Sequence, residues 1–316
     1  MIKVSVMIPT YNQAGFVREA IASALAQTHP HLEVIVGDDA SSDDTAAVVA
    51  AVADPRLRYV RHSANLGRTG NYRALLYEHA TGDFVVNLDG DDYFTDPEFI
   101  ARAVRCVEAD PEVVMVVAQV TSRSETADFV SQLPPHEELA GLDILRRLPA
   151  RPYLLMHMGV LYARRAALAI DFYRSPAISS DWESLYRLCL RGKVRYLPRP
   201  VGVWRVHGGN ETGTGNVAKL LANLDIWEPV YRDAVKFGMS PLRARLARAR
   251  MVAFLAVEHL PAVSHGGNRA LVAFLGALAA KDVPALLFIA LHPRSAATLA
   301  AGFLGYFRRD RALATR

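Results

Sequence analysis

Asn87-Leu88-Asp89-Gly90-Asp91-Asp92-Tyr93 follows directly on the apolar run Phe84-Val85-Val86. The run reads as a buried strand over residues 84–88, and the acidic stretch as the loop at its C-terminal end. Asp89, Asp91 and Asp92 place three carboxylates within four residues, and Gly90 gives the backbone room to turn. Hard divalent cations prefer oxygen ligands, and Mg²⁺ keeps open positions that phosphate oxygens fill. Such a loop suits a metal held against a nucleotide diphosphate. A solvated turn that merely stops a strand has the same composition, so the surrounding chain has to decide.

Upstream, residues 4–8 form an apolar run ended by Pro9, as a central strand of a parallel sheet would be. Apolar positions from Phe16 to Leu25 recur at helical spacing. Residues 32–36 predict a second strand closed by Gly37-Asp38-Asp39, with Ser41 or Ser42 capping a helix that begins near Asp43. A short strand over 57–60, a turn at Asn65-Leu66-Gly67 and a helix over 71–80 follow. Beyond the acidic loop, Asp96-Pro97 reads as the N-cap and first position of another helix.

Strand and helix thus alternate four times over about a hundred residues, the pattern of a parallel sheet covered on both faces. In such sheets ligands bind outside the C-terminal strand ends. Pro9-Thr10-Tyr11, Asp38-Asp39 and Asp89-Gly90-Asp91-Asp92 all fall at such ends and are expected to share one crevice. No Gly-x-Gly-x-x-Gly follows the first strand, which argues against a dinucleotide oxidoreductase.

Four motifs in order, Pro-Thr-Tyr-Asn (9–12), Val-Gly-Asp-Asp-Ala-Ser-Ser-Asp-Asp-Thr (36–45), Asn-Leu-Gly (65–67) and Thr-Gly-Asp-Phe-Val-Val-Asn-Leu-Asp-Gly-Asp-Asp (81–92), resemble glycosyltransferase family 2. The resemblance covers residues 1–110 closely and extends more loosely to about residue 210. It implies an α/β GT-A fold, Rossmann-like and mostly parallel with helices on both faces. It also implies a nucleotide-sugar donor, Mn²⁺ or Mg²⁺, and inversion at the anomeric carbon. Position by position, Pro9, Thr10 and Tyr11 match the loop lining base and ribose, and Asp39 the acid that accepts a pyrimidine N3–H. An ionised carboxylate offers only acceptors, which suits that imide donor. Asp89 and Asp91 match the family's Asp-x-Asp motif, Asp89 nearer the ribose and Asp91 on the metal, with Asp92 replacing or assisting Asp91. The family's Ala-Arg-Asn is absent. Gly70-Asn71-Tyr72-Arg73-Ala74 stands there instead, leaving Arg68 and Arg73 as the phosphate candidates.

Residues 113–120 predict a further strand, residues 122–142 a period-free loop over the acceptor side, and residues 156–163 a short strand. His157 on that strand either touches the acceptor or is a satisfied strand histidine. Ile178-Ser179-Ser180-Asp181-Trp182-Glu183 opens a helix capped by Ser179 or Ser180. The family keeps its catalytic base in a short acidic motif at such a helix start, and Asp181 matches it. A carboxylate at a helix N-terminus is held in its ionised form, as a general base must be. Trp182 offers an apolar platform for a sugar face or joins the core. Strands over 194–197 and 201–205 lead to Trp204-Arg205-Val206-His207, similar to the family's Tyr-Arg-x-His segment, with His207 a candidate for the metal shell or the diphosphate. Imidazole suits Mn²⁺ better than Mg²⁺. Gly208-Gly209-Asn210-Glu211-Thr212-Gly213-Thr214-Gly215 is too glycine-rich for a helix and reads as a lid or a linker.

From residue 217 onward the pattern is helical. Four apolar stretches, 251–260, 271–280, 283–291 and 296–307, are broken by Pro261, Gly266-Gly267, Pro284 and Pro293. None reaches the roughly 20 apolar residues a membrane span needs. The organisation expected is a catalytic domain over 1–215 (nucleotide half 1–120, acceptor half 121–215) and a helical extension over 216–316. Residues 241–316 carry 11 Lys/Arg against 3 Asp/Glu, while residues 1–240 carry 25 against 29. A basic, apolar tail closed by Arg308, Arg309 and Arg311 suits peripheral attachment to the inner membrane, a homo-oligomer, or an ordinary helical face. Aromatic interleaving and a nucleic-acid module are both missing, so nucleic acid is not an expected partner. At 51% hydrophobic and 22% charged residues the chain can build a packed core. Cys106 and Cys189 make no disulfide or metal framework, and no leader pattern precedes the first strand, so a cytoplasmic protein is expected.

The expected activity is transfer of a sugar from a UDP- or dTDP-sugar to an acceptor hydroxyl on a saccharide or glycolipid, in bacterial surface polysaccharide assembly by family habit. A polyprenyl-phosphate acceptor, which needs no base, and a non-catalytic nucleotide-sugar scaffold are the alternatives.

Overall fold

The computed structural model describes residues 1–135, 137–150, 155–208, 210, 216–265 and 267–290. The glycine-rich stretch beyond Asn210, Pro293 and the Arg308, Arg309, Arg311 cluster lie outside the described residues. Chain contacts divide the protein into two compact units. The first comprises Met1–Ile144, Tyr153–Pro176 and Ser180–His207, and the second Leu145–Pro152, Ala177–Ser179 and the chain from Gly208 onward.

The first unit is built on strand β1 (Val4–Thr10), every residue of which is buried. It pairs in parallel with β2 (Leu32–Asp38) on one side and β4 (Phe84–Asn87) on the other, and β3 (Leu57–Arg61) extends the sheet beyond β2. Strand β9 (Val160–Ala163) then runs antiparallel between β4 and β6 (Val113–Arg123), and β6 pairs in parallel with the long β10 (Lys193–Arg205). The two-residue β5 (Tyr93–Phe94) closes that edge antiparallel to β10. The sheet is therefore mixed, with a parallel nucleotide half and an antiparallel insertion.

Period-2 burial explains the layering. Val4, Val6 and Ile8 share one core cluster with Val34, Val36 and Val86. Helix α1 (Val17–Leu25) packs there through Val17, Ala20, Ile21 and Ala24, and α4 (Phe99–Ala109) through Phe99, Ile100, Ala103, Val104 and Val107. Met7, Ile35 and Val85, one residue out of phase, are also fully buried but belong to the opposite face. Gly37 marks the close approach there, because a Cβ would sit 2.8 Å from both methyls of Leu75 and 2.6 Å from Asn71 Oδ1.

Several local readings are corrected. Strand β1 does not stop at Pro9 but runs to Thr10, with Pro9 in register with Gly37. The helix near Asp43 begins at Thr45, as α2 (Thr45–Ala50), and neither serine caps it. Ser41 Oγ instead accepts the Asn12 N–H, and Ser42 bonds Asn12 Oδ1, so the serines stitch the loops after β1 and β2 together. The helix expected over 71–80 begins at Arg68 (α3, Arg68–Ala74) and widens into a π turn over Leu75–His79. Helix α4 starts two residues beyond Pro97. Asp96 instead accepts the Glu98 N–H and pairs with Arg102 and Arg199. Residues 122–142 are not period-free, since β7 (Asp128–Val130) pairs with β6 and β8 (Glu138–Ala140) with β10. The two strands expected over 194–205 are one strand, with register shifts around Pro200. The strand expected over 156–163 begins only at Val160, after a 3₁₀ turn over His157–Gly159.

Three further helices belong wholly or partly to this unit, α5 (Gly141–Arg147), α6 (Arg164–Ala169) and α7 (Ser180–Cys189). The second unit is helical as expected over its described part. Asn216 caps α8 (Val217–Asn223) by accepting the N–H groups of Ala218 and Lys219. Helix α9 (Trp227–Lys236) buries Trp227 and Tyr231. Helix α10 (Pro241–His265) continues past Pro261, and α11 (Gly267–Lys281) and α12 (Val283–Ala290) follow. Among the described residues no helix is long and apolar enough to cross a membrane.

Candidate active site

The C-terminal ends of β1, β2 and β4 converge as the sequence predicts. Thr10 O accepts the Asp39 N–H at 2.9 Å, and Pro9 O accepts the Gly90 N–H at 3.0 Å. Gly90 is required by proximity rather than by a turn conformation, since a Cβ would lie 2.5 Å from Gln13 Oε1 and 2.8 Å from Thr10 Oγ1. Thr10 is buried, whereas Tyr11 is about half exposed at the mouth of this loop.

Asp38 and Asp39 take different parts. Asp38 is fully buried and consumed by structure, with its carboxylate accepting the Ser41 N–H and the Tyr59 hydroxyl. Asp39 is 2% exposed; its Oδ1 accepts the Leu66 N–H at 2.6 Å, and its second oxygen accepts nothing from a described residue. Ala40, next in the chain, is held at φ +61°, a left-handed conformation that suits glycine better than alanine. Strain of this kind persists only where the surroundings over-determine it; the partners of the Asp39 carboxylate are separate from those of Asp38.

The acidic loop separates its three carboxylates. Asp89 Oδ1 accepts the Tyr72 hydroxyl and the Asn87 amide, both at 2.8 Å. Asp91 Oδ2 lies 2.9 Å from Nε2 of His207, which stacks on Phe16. Asp92 is 2% exposed and accepts the Arg205 N–H at 2.9 Å. Burial, with the Asp91 charge second, raises the Asp89 carboxyl to about 6, and the Tyr72 hydroxyl and Arg68 charge oppose the rise. Burial and the charges of Asp91 and Asp89 likewise push Asp92 well above an ordinary aspartate. A cation nearby would favour the ionised forms of these buried carboxylates. Oxygen from Asp91 and nitrogen from His207 suit a divalent metal, Mn²⁺ in particular. Among the described residues no group of three or more His, Cys, Asp or Glu side chains is arranged as a metal site. The remaining positions would fall to phosphate oxygens and water.

Arg205 holds this arrangement, and the sequence reading passed over it. Its Nη1 donates to Asp91 O at 2.6 Å, its Nη2 pairs with Glu19 of α1, and its guanidinium lies over the rings of Tyr93 and Phe16. It stands two residues before His207, inside the Trp-Arg-Val-His segment that carried the resemblance. Charged hydrogen bonds of this kind contribute about 2 kcal/mol. Arg205→Met should therefore lower the Tm by several degrees in calorimetry, and an unchanged Tm would show that the network contributes nothing.

The second side of the site is the start of α7. Asp181 lies in the first turn of that helix, and burial raises its carboxyl while the Arg68 charge and the backbone amides there pull it back. Ser180 Oγ is buried without a hydrogen-bond partner among the described residues, so it does not cap the helix. Arg68 sits over the Tyr72 ring, and its charge reaches Asp89, Asp181 and His157. Of the two candidate arginines, Arg68 is therefore the one at the carboxylates. Arg73, expected at the phosphates, pairs instead with Asp171 at 2.7 Å and donates to Phe172 O. Trp182 is half-buried and donates its indole N–H to Leu155 O. His157 Nε2 lies 2.5 Å from the Tyr173 hydroxyl, and its ring meets Tyr72 edge-on. Neither Tyr72 nor Tyr173 carried a sequence signal beyond being aromatic.

Comparison with known proteins gives the family and the fold. The model of glycosyl transferase family 2 matches residues 5–167. An uncharacterized protein of Mycobacterium tuberculosis is 28% identical over 237 residues, covering 74% of this chain and 63% of its own length. The chain thus spans less than two thirds of that relative. Among solved structures, Staphylococcus aureus TarS 1-349 in complex with UDP-GlcNAc superposes with TM-score 0.62 at 18% identity, over 87% of this chain and 81% of TarS 1-349. The mannosyltransferase PcManGT from Pyrobaculum calidifontis, in complex with GDP-Man and Mn²⁺, gives TM-score 0.57 at 22% identity, over 99% of this chain and 83% of its own. The fold is the one these sugar transferases share, GT-A.

Proposed function

The chain belongs to glycosyl transferase family 2, and from that premise we propose that it is an inverting, metal-assisted transferase moving a sugar from a UDP- or dTDP-sugar to an acceptor hydroxyl. The observation that carries the reading is the pairing of Asp91 with His207 at 2.9 Å, beside the raised carboxyls of Asp89 and Asp92, at the strand ends that also present Asp39.

Asp39 offers its second carboxylate oxygen to the imide N–H of a pyrimidine, with Pro9, Thr10 and Tyr11 beside the base and ribose. Asp91 and His207, with Asp89 or Asp92 assisting, would hold Mn²⁺ or Mg²⁺. The cation, when bound, supplies charge neutralisation on the leaving diphosphate. Arg68 adds a fixed positive charge near the same oxygens. Asp181 takes the proton of the acceptor hydroxyl as its oxygen bonds to the anomeric carbon. The bond from that carbon to the diphosphate oxygen breaks on the opposite face, so the configuration inverts. The acceptor is a saccharide or glycolipid hydroxyl, which needs this base, whereas a polyprenyl phosphate is already anionic and would not. The complexes of TarS with UDP-GlcNAc and of PcManGT with GDP-Man and Mn²⁺ support a nucleotide-sugar donor and a divalent metal. Peripheral attachment to the cytoplasmic membrane face through the helical second unit, or self-association there, fits surface polysaccharide assembly.

A ligand that binds only the folded state raises the Tm by mass action. UDP or dTDP with Mn²⁺ should stabilise the protein and lose that effect in EDTA. Stabilisation by GDP alone would overturn the role of Asp39, and no shift with any nucleotide diphosphate would overturn the donor site.

A further inference from the structure

The chain from Asp171 to Arg174 is fastened at every residue. Asp171 pairs with Arg73, Phe172 O accepts from the same guanidinium, the Tyr173 N–H donates to Ser184 Oγ at 2.8 Å, and Arg174 pairs with buried Glu183 at 2.8 Å. Ser184 and Glu183 lie on α7, the helix that carries Asp181 in its first turn. The fastening holds two non-glycine residues in the left-handed region, Asp171 at φ +54° and Tyr173 at φ +59°. Tyr173 is fully buried, so a bulky aromatic residue carries this strain inside the protein. Strain maintained by so many contacts is a mark of a functional site.

The strained conformation aims one atom. The Tyr173 hydroxyl lies 2.5 Å from His157 Nε2 and 3.3 Å from the buried Tyr162 hydroxyl. The His157 ring also meets Tyr72 and Tyr173 edge-on, at 5.7 and 5.5 Å. Its other nitrogen, Nδ1, has no hydrogen-bond partner among the described residues, and the residue is only partly buried. The groups around the ring are those of the reaction centre. Tyr72 donates to Asp89, Arg68 acts electrostatically on His157, and the Asp181 charge acts on both Tyr72 and Tyr173.

We propose that His157 is an acceptor-binding residue whose Nδ1 meets a hydroxyl of the incoming saccharide, and that Tyr173, backed by Tyr162, is the positioning residue that fixes the ring. This rests on the transfer reading above. Burial and the Arg68 charge push the imidazole down to about 3, so the ring keeps one donor and one acceptor nitrogen at working pH. Such a group can order a polyol without competing with Asp181 for the proton.

Two measurements test the proposal on the full chain. The first is histidine ¹⁵N NMR of the protein without ligands. Wild type should show His157 as one neutral tautomer, Tyr173→Phe should show a mixture, and identical spectra would overturn the positioning role. The second compares nucleotide release from UDP-sugars with water alone and with a panel of alkyl glycosides as acceptors. Tyr173→Phe and His157→Gln should lose about tenfold in glycoside-dependent release relative to hydrolysis by water. An equal loss in both reactions would overturn the acceptor role. A wild type that releases nucleotide from no donor would instead contradict the transfer reading, and the spectra would still decide the histidine–tyrosine pairing.

Discussion

Asp181→Asn should lower kcat by about a hundredfold or more while leaving UDP affinity within a factor of about two. The amide keeps the volume and most hydrogen bonds of the carboxylate but cannot take the acceptor proton. In the proposed site the base and ribose contacts come from the loops after β1 and β2, which Asp181 does not join. The pH profile carries the same signature. Burial raises the Asp181 carboxyl, so the base is lost to protonation at a higher pH than an ordinary aspartate would be. The acidic limb of kcat should lie above the usual carboxylate value and vanish in Asp181→Asn. Normal transfer by that variant would remove Asp181 from the chemistry.

Asp91→Ala should abolish metal-dependent UDP binding, read by calorimetry with Mn²⁺ and with EDTA. The substitution removes the carboxylate oxygen that faces His207, and a hard cation depends on such oxygen ligands. Wild-type affinity should fall in EDTA to the level of the variant, and equal affinity under all four conditions would contradict the metal assignment. Protonation competes with the metal here. Asp89 is raised to about 6 in the folded protein, against about 4 for an unfolded aspartate. The folded state therefore favours its protonated form, a contribution present below about pH 4 and lost as the pH rises through about 6. Mn²⁺ should accordingly stabilise the protein more at pH 7 than at pH 5.

The nucleotide half was legible because its signals are local. Fully apolar strands, polar residues at their ends and helical spacing between them all lie within a few residues of one another. The reading placed Asp39, Asp89 and Asp91 at one crevice, and the structure brings their loops together. It failed where the partner is distant in sequence. Arg73 faces Asp171, 98 positions away, and no period predicts that pairing. Ser41 and Ser42 have the composition of helix caps, yet Asn12, reached only through the parallel register of β1 and β2, competes for them. The three-residue strands at 128–130 and 138–140 are too short to carry a pattern and exist because longer strands template them. Tyr173 was invisible for a different reason, since a left-handed tyrosine is a product of tertiary fastening and not of local preference.

Nucleotide release from UDP-sugars, dTDP-sugars and GDP-mannose, each with Mn²⁺ and with EDTA, tests the central claim most directly. Release of UDP or dTDP from its sugar in Mn²⁺, abolished by EDTA and by Asp91→Ala, is the result expected. Tight UDP binding with no release from any donor, with or without saccharide acceptors, would contradict it and leave a nucleotide-sugar-binding protein without catalysis.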